Sequence, residues 1–261
     1  NMIEQARKIV IPLMLKCGKI LIDEWDDAKI HHFKGKTDFT LNADLKIEKT
    51  IIETLRKHFP DHNILAEESG QKNTGSFYTW IIDPLDGTHN YRSRMPLFNP
   101  TIALQHKNEI IFGITYNPAT HEFFHAVRGN GAFKTMTDSR HRLIRSTKKR
   151  IAVSDEKKVK QARFYIEFPR FADEFKKDRD IVRIFTPSVH RIRSFGAAAL
   201  GLAYTAQGSF DGFVDFSGMV NLWDIAAGIL LIEEAGGKIT NMRGDAFTPD
   251  MQDILATNGK I

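Results

Sequence analysis

The run Trp80-Ile81-Ile82-Asp83-Pro84-Leu85-Asp86-Gly87-Thr88 restricts the fold of this chain more than any other stretch. Its three leading apolar residues predict a buried strand, ended abruptly by the carboxylate of Asp83. Pro84 fixes its own φ and Gly87 tolerates positive φ, so a tight turn follows. That turn holds two acids three residues apart, with the main-chain oxygen of Leu85 between them. Three hard oxygen donors on one turn suit Mg²⁺ or Mn²⁺ better than a soft metal. Next to them Gly87 and Thr88 offer backbone N–H groups where a new helix is predicted to begin, an arrangement that cradles anions. Asp, Pro and Gly are also the commonest turn residues, so an ordinary strand-to-turn junction is the competing reading of this stretch.

The 261 residues suffice for one large domain or two medium ones, and 42% hydrophobic with 26% charged residues is the balance of a soluble globular protein. No apolar run approaches the ~18 residues of a membrane span. Residues 2–22 do not read as a signal peptide, because Glu4, Arg7, Lys8, Lys16 and Lys19 interrupt them throughout. The single cysteine, Cys17, excludes an internal disulfide and a thiolate metal cluster, which fits a cytoplasmic location. A net charge of +5 and a pI of about 9.2 favour an anionic small substrate or a polyanion over a cationic partner. The excess is concentrated in Arg140, Arg142, Arg145, Lys148, Lys149 and Arg150. Such a run either tracks a nucleic-acid backbone or, the plainer reading, forms a solvated loop between two halves of the chain.

Apolar positions from Ile3 to Leu21 have helical spacing, with Pro12 expected to kink or stagger the helix. A second helix shows Leu41, Leu45, Ile51, Ile52, Leu55 and Phe59 on one face, is stopped by Pro60 and carries Asp44 in its first turn. Asn63 to Glu67 reads as a short strand. From Thr101 to Lys134 the pattern is that of an antiparallel meander, punctuated by Asn117-Pro118 and Gly129-Asn130-Gly131. Residues 195–207 read as a helix of small residues that permits close packing. Val214-Asp215 ends a short strand, and Trp223 to Ala235 is an apolar helix closed by Gly236-Gly237. The expected division is a helix-plus-antiparallel-sheet half over 1–147 and a mixed α/β half over 148–261. His121-Glu122-Phe123-Phe124-His125 matches a zinc-protease pattern, but that motif needs a helix. In the strand expected here, residues four apart lie roughly 13 Å from each other, too far for one zinc.

Three further acids share the setting of Asp83 and Asp86 at the edge of an apolar element: Glu67 after Ile64-Leu65-Ala66, Asp224 after Leu222-Trp223, and Asp44 at the start of the second helix. Carboxylates at a core edge carry a desolvation penalty unless paired or bound to a cation. Singly, each has a plain reading as a cap, a first-turn acid or a solvated loop residue. Together, Glu67-Glu68-Ser69, the Asp-Pro-Leu-Asp-Gly-Thr core and Trp223-Asp224-Ile225-Ala226-Ala227-Gly228 resemble the signature set of the inositol monophosphatase family, over nearly the whole chain.

The resemblance implies a layered αβαβα sandwich, an α+β or α/β fold of the inositol monophosphatase/fructose-1,6-bisphosphatase type, and Mg²⁺-dependent hydrolysis of small phosphate monoesters. Carried over by position, it makes Glu67, Asp83, Asp86, Asp224 and the carbonyl of Leu85 metal ligands for two or three Mg²⁺, with Mn²⁺ a possible substitute. It makes Thr88, paired with Asp44, the group that orients and deprotonates the attacking water, with Glu67 also at the catalytic centre. Backbone N–H groups of Gly87 and Thr88 would hold the phosphate, with Asp86 and Asp224 beside it. Gly196, Ala197, Ala198 and Asp215 would line the alcohol side. The implied substrate is first myo-inositol monophosphate. Histidinol phosphate, fructose 1,6-bisphosphate and 3′-phosphoadenosine 5′-phosphate are alternatives within the same chemistry, and a regulatory RNA- or protein-binding module is the alternative from another class. The family also implies a homodimer.

Overall fold

The computed structural model describes residues 1–34, 39–168, 183–215, 217–218, 220–248, 251 and 253–261. From the N-terminus, helix α1 (Met2–Asp23) leads through a hairpin of β1 (Ile30–Phe33) and β2 (Phe39–Leu41) into α2 (Asn42–His58). α1 runs unbroken past Pro12 and buries Ala6, Val10, Leu13, Met14, Cys17 and Leu21, the three-and-four spacing of one helix face. α2 differs from its expected pattern. Its buried face is Ala43, Asp44, Ile47, Glu48, Ile51 and Leu55, so two carboxylates one turn apart lie among the apolar side chains.

The next strands form an eight-stranded mixed sheet. β3 (Asn63–Ala66) pairs antiparallel with β4 (Gly70–Lys72) and parallel with β5 (Tyr78–Asp86). After the short helix α3 (Thr88–Arg92), β6 (Asn99–His106), β7 (Glu109–Asn117), β8 (Glu122–Val127) and β9 (Gly131–Met136) continue from β5 as the expected antiparallel meander. β10 (Lys149–Arg150) closes that edge against β9. The basic stretch is therefore more ordered than a solvated loop: Arg145–Thr147 forms a 3₁₀ turn, and its last residues join the sheet.

A second, five-stranded sheet has the order β12 (Arg191–Arg193), β11 (Arg163–Glu167), β13 (Gly212–Asp215), β15 (Ile254–Thr257), β14 (Lys238–Thr240). Between the two sheets lie α4 (Ala198–Ala206) and α5 (Leu222–Glu234). The layers follow from side-chain alternation along β5. Trp80 and Ile82 join the cluster made with α1 and α2, while Ile81 joins the cluster made with α4, α5 and the second sheet. Both faces of β5 are covered, so its apolar run has no polar alternation. Each large side chain buried there contributes on the order of 2 kcal/mol. The small residues of α4 and α5 let these layers close: a Cβ on Gly228 would stand 2.4 Å from Leu202 Cδ1, and one on Gly201 2.6 Å from the Tyr165 ring. Phe164, Ile166, Val189 and Val214 form a third cluster on the outer face of the second sheet. This is the α+β layering that the resemblance implies.

His121 and Glu122 stand at the start of β8, and His125 lies on it, so the zinc-protease pattern is not helical. The His121 ring faces Thr137 and His141, whereas His125 stacks on Phe133. No helix among the described residues is long and apolar enough to cross a membrane.

Candidate active site

The strand expected to stop at Asp83 continues through the motif. β5 pairs with β6 from Tyr78 to Asp83 and again at Asp86, where three steps along β5 oppose two along β6, Thr101 to Asn99. This is a bulge. Pro84 has no N–H for the ladder, and the extra residue re-aims the two carboxylates without ending the sheet. Asp83 Oδ1 accepts the N–H of Leu85 at 2.9 Å, which stiffens the corner. Gly87, at φ +83°, then turns the chain into α3. A Cβ there would lie 2.6 Å from the carbonyl oxygen of Leu97, so neither the conformation nor the space admits a side chain.

Three helix N-termini meet this corner. Asp44 is in the first turn of α2, where its Oδ2 accepts the N–H of Leu41 at 2.8 Å. Asp224 is in the first turn of α5, where its Oδ2 accepts the N–H of Asn221 at 2.8 Å. Asp86 is on β5, yet its two oxygens accept the N–H groups of Ala198 (3.2 Å) and Ala199 (2.9 Å) at the start of α4. α4 receives no side-chain cap from its own N-cap residue, so Asp86 satisfies donors that would otherwise be orphaned. The positive ends of the helix dipoles offset part of the repulsion among these acids.

Glu67, Asp83, Leu85, Asp86, Gly87 and Thr88 border one cavity of about 440 Å³, and Asp224, Gly196, Ala198 and Asp215 complete its far side. Ala197 is not on the wall: it is fully buried, and its N–H donates to the Tyr165 hydroxyl at 3.2 Å. Asp44 lies behind Thr88, whose hydroxyl is 2.9 Å from the Leu85 carbonyl oxygen and 3.4 Å from Asp44 Oδ1. Burial, then the charges of Glu67, Asp86 and Asp224, push the Asp83 carboxyl well above the usual carboxylate range. Burial, then Asp224 and Glu167, do the same to Asp86. Asp44 is pushed up to about 8, chiefly by burial and then by the charges of Glu67 and Glu68, against the N–H of Leu41.

Among the described residues no three His, Cys, Asp or Glu side chains already stand as a closed ligand set for one ion. Local donors occupy several of their oxygens: Lys34 is 2.9 Å from Glu67 and 2.6 Å from Glu68, the Leu85 N–H holds Asp83, and the Asn221 N–H holds Asp224. The donor chemistry nevertheless fits a hard divalent cation. It consists of carboxylates and a carbonyl oxygen, with Asp83 and Leu85 each 1% exposed at the base of the cavity.

Sequence reasoning missed several residues here. Glu167 lines the cavity and accepts a hydrogen bond from the Tyr165 hydroxyl. Its signal was an acid ending the apolar strand Phe164-Tyr165-Ile166, the rule that selected Glu67 and Asp83. Asn90 donates to the carbonyl oxygens of Leu97 (2.8 Å) and Phe195, fastening the turn after β5 to the segment before α4. Lys34 and Glu48 bore no local signal.

A family model described as the inositol monophosphatase family matches residues 2–261. An inositol-1-monophosphatase of Caulobacter vibrioides is 38% identical over 265 residues, covering 98% of this chain and 94% of that protein. A fructose-1,6-bisphosphatase/inositol-1-monophosphatase of Aquifex aeolicus is 34% identical over 249 residues, covering 92% and 86%. Among solved structures, the extragenic suppressor protein suhB of Bartonella henselae matches with a TM-score of 0.86 at 32% identity, over 98% of this chain and 94% of that one. A match that runs the length of the chain, over a cavity walled by the signature acids, places the protein in the inositol monophosphatase family of metal-dependent phosphatases.

Proposed function

We propose that the protein hydrolyses a small phosphate monoester with Mg²⁺, first among candidates myo-inositol monophosphate, at the cavity between β5 and the starts of α4 and α5. The observation that carries this reading is that four acids from three segments (Glu67, Asp83 with Asp86, and Asp224) border one cavity together with Leu85. Glu67, Asp83, Asp86, Asp224 and the Leu85 oxygen would hold the cations. When bound, these ions supply an acidified water and charge neutralisation at the departing oxygen.

The remaining work falls to the chain. Thr88 Oγ1 orients the attacking water, and Asp44 behind it receives the proton. The N–H groups of Gly87 and Thr88 hold the phosphoryl oxygens. Gly196, Ala198 and Asp215 shape the side that receives the alcohol, and Glu167 adds a carboxylate there. Phosphoryl transfer asks for positioning and charge compensation more than covalent participation, so this mechanism does not call for a Ser–His or Cys–His pair. The homodimer implied by the resemblance and the cytoplasmic location read from the single cysteine belong to the same reading, and sedimentation would test the first.

The test is phosphate release, with and without Mg²⁺, from wild type and Asp83→Asn. The panel is myo-inositol 1-phosphate, histidinol phosphate, fructose 1,6-bisphosphate and 3′-phosphoadenosine 5′-phosphate. The wild type is expected to be strongly metal-dependent, with the inositol ester showing the highest kcat/KM. The variant is expected to lose nearly all turnover while keeping its circular dichroism. Equal activity in the two proteins would refute the assignment.

A further inference from the structure

We propose that Glu48 is a positioning residue for metal uptake: its buried carboxylate clamps the corner that carries Glu67 and so aims Glu67 into the cavity. This rests on the proposed role of Glu67 as a ligand.

Glu48 lies one turn after Asp44 on the same face of α2 and is 4% exposed. Its Oε2 accepts the N–H of Glu68 and its Oε1 the N–H of Ser69, both at 2.9 Å. Two successive main-chain donors on one carboxylate fix the orientation of the peptide planes that follow Glu67. On the other side, the N–H of Glu67 donates to the Ile82 carbonyl oxygen at 3.2 Å, one residue before Asp83. The corner is thus pinned to β5 before Glu67 and to α2 after it, and the Glu67 carboxyl is left within hydrogen-bond reach of Asp83. Thr40 holds the Glu68 side chain, Lys34 bridges the Glu67 (2.9 Å) and Glu68 (2.6 Å) carboxylates, and of these two acids it is Glu67 that lines the cavity.

A buried carboxylate on a helix face costs desolvation energy that an apolar residue would avoid. Two charge-assisted bonds to the backbone recover much of that cost. An apolar residue at this position would fill the space but leave the Glu68 and Ser69 N–H groups without the acceptor that sets the corner. Groups that orient metal ligands typically change metal affinity 10–100-fold when altered.

The experiment titrates Mg²⁺ by calorimetry into wild type, Glu48→Gln, Glu48→Asp, Glu67→Gln and the Glu48→Gln/Glu67→Gln double variant, with thermal unfolding of each as the control. Gln brings a donor against two donors, and Asp keeps the charge on an arm one methylene too short. Each single change at position 48 is expected to weaken Mg²⁺ binding at least tenfold while the protein stays folded. In turnover, Glu48→Gln is expected to raise the half-saturating Mg²⁺ concentration while kcat at saturating metal stays within about threefold of wild type. In the Glu67→Gln background the same change is expected to have less than a threefold effect, because Glu48 acts through Glu67.

Wild-type Mg²⁺ affinity in a folded Glu48 variant would overturn the inference, as would full additivity with Glu67→Gln. Unfolding of both Glu48 variants would also overturn it, by making Glu48 a support of the core. If the wild type itself takes up no Mg²⁺, the proposed phosphatase mechanism fails together with it, and that result is distinct from the others.

Discussion

Asp44→Asn is expected to make the metal-free protein more stable, by an amount that grows with pH. Asp44 is 1% exposed, and its carboxyl is pushed from 3.8 up to about 8. In the unfolded chain the group ionises near 3.8, whereas in the folded protein it keeps its proton until about 8. Between those values the native state binds the extra proton, so stability falls as pH rises, by about 1.4 kcal/mol per pH unit. At pH 7 the accumulated cost is about 4 kcal/mol, and at pH 5 it is under about 2. Asparagine removes this linkage but keeps an oxygen for the Leu41 N–H, 2.8 Å away in the wild type. Denaturant unfolding of both proteins from pH 5 to pH 9, without divalent metal, should show a gap that widens to about pH 8 and is constant above it. The same variant should lose turnover, since no carboxylate remains behind Thr88. A gap that is flat or narrows with pH would refute the reasoning, because burial would then not be raising this group.

Mg²⁺ binding is expected to tighten as pH rises, with protons released to the buffer. The raised Asp83 and Asp86 carboxyls must lose protons before they can hold a cation. Titration calorimetry in buffers of different ionisation enthalpy measures both effects, and a pH-independent affinity would contradict them. Gly87→Ala should cost about 2 kcal/mol or more in thermal unfolding and lower kcat, because it places a Cβ at φ +83° against the Leu97 carbonyl oxygen. Unchanged stability would show that this turn relaxes freely.

How much of this was legible in the sequence depends on the range of the interactions involved. The turn into α3 was readable because Gly87, at φ +83°, acts on its own backbone. The meander and the helices α1, α2 and α5 were readable because burial repeats along a strand or helix. The bulge at Asp83–Asp86 was not, since it is set by pairing with Thr101 and Asn99 on β6. Nor were the bonds that the Ala198 and Ala199 N–H groups donate to Asp86, more than a hundred residues away. Glu48 escaped because a helix face traced by its apolar members skips any acid among them, and the two donors that justify burying it lie on another segment.

The same distinction explains why capping and chemistry looked like rival readings of Asp44 and Asp224. In the sequence, an acid in a first helical turn is fully accounted for as a cap. In the structure the two roles share one carboxylate. Asp44 gives Oδ2 to the Leu41 N–H while Oδ1 faces Thr88. Asp224 holds the Asn221 N–H at the cavity wall, and Asp86 caps a helix that is not its own. Helix N-termini are where buried acids are least costly, and converging three of them concentrates negative charge without unfolding the core. A fold that caps α2, α4 and α5 at one point has thereby assembled the oxygen donors on which a hard cation can act.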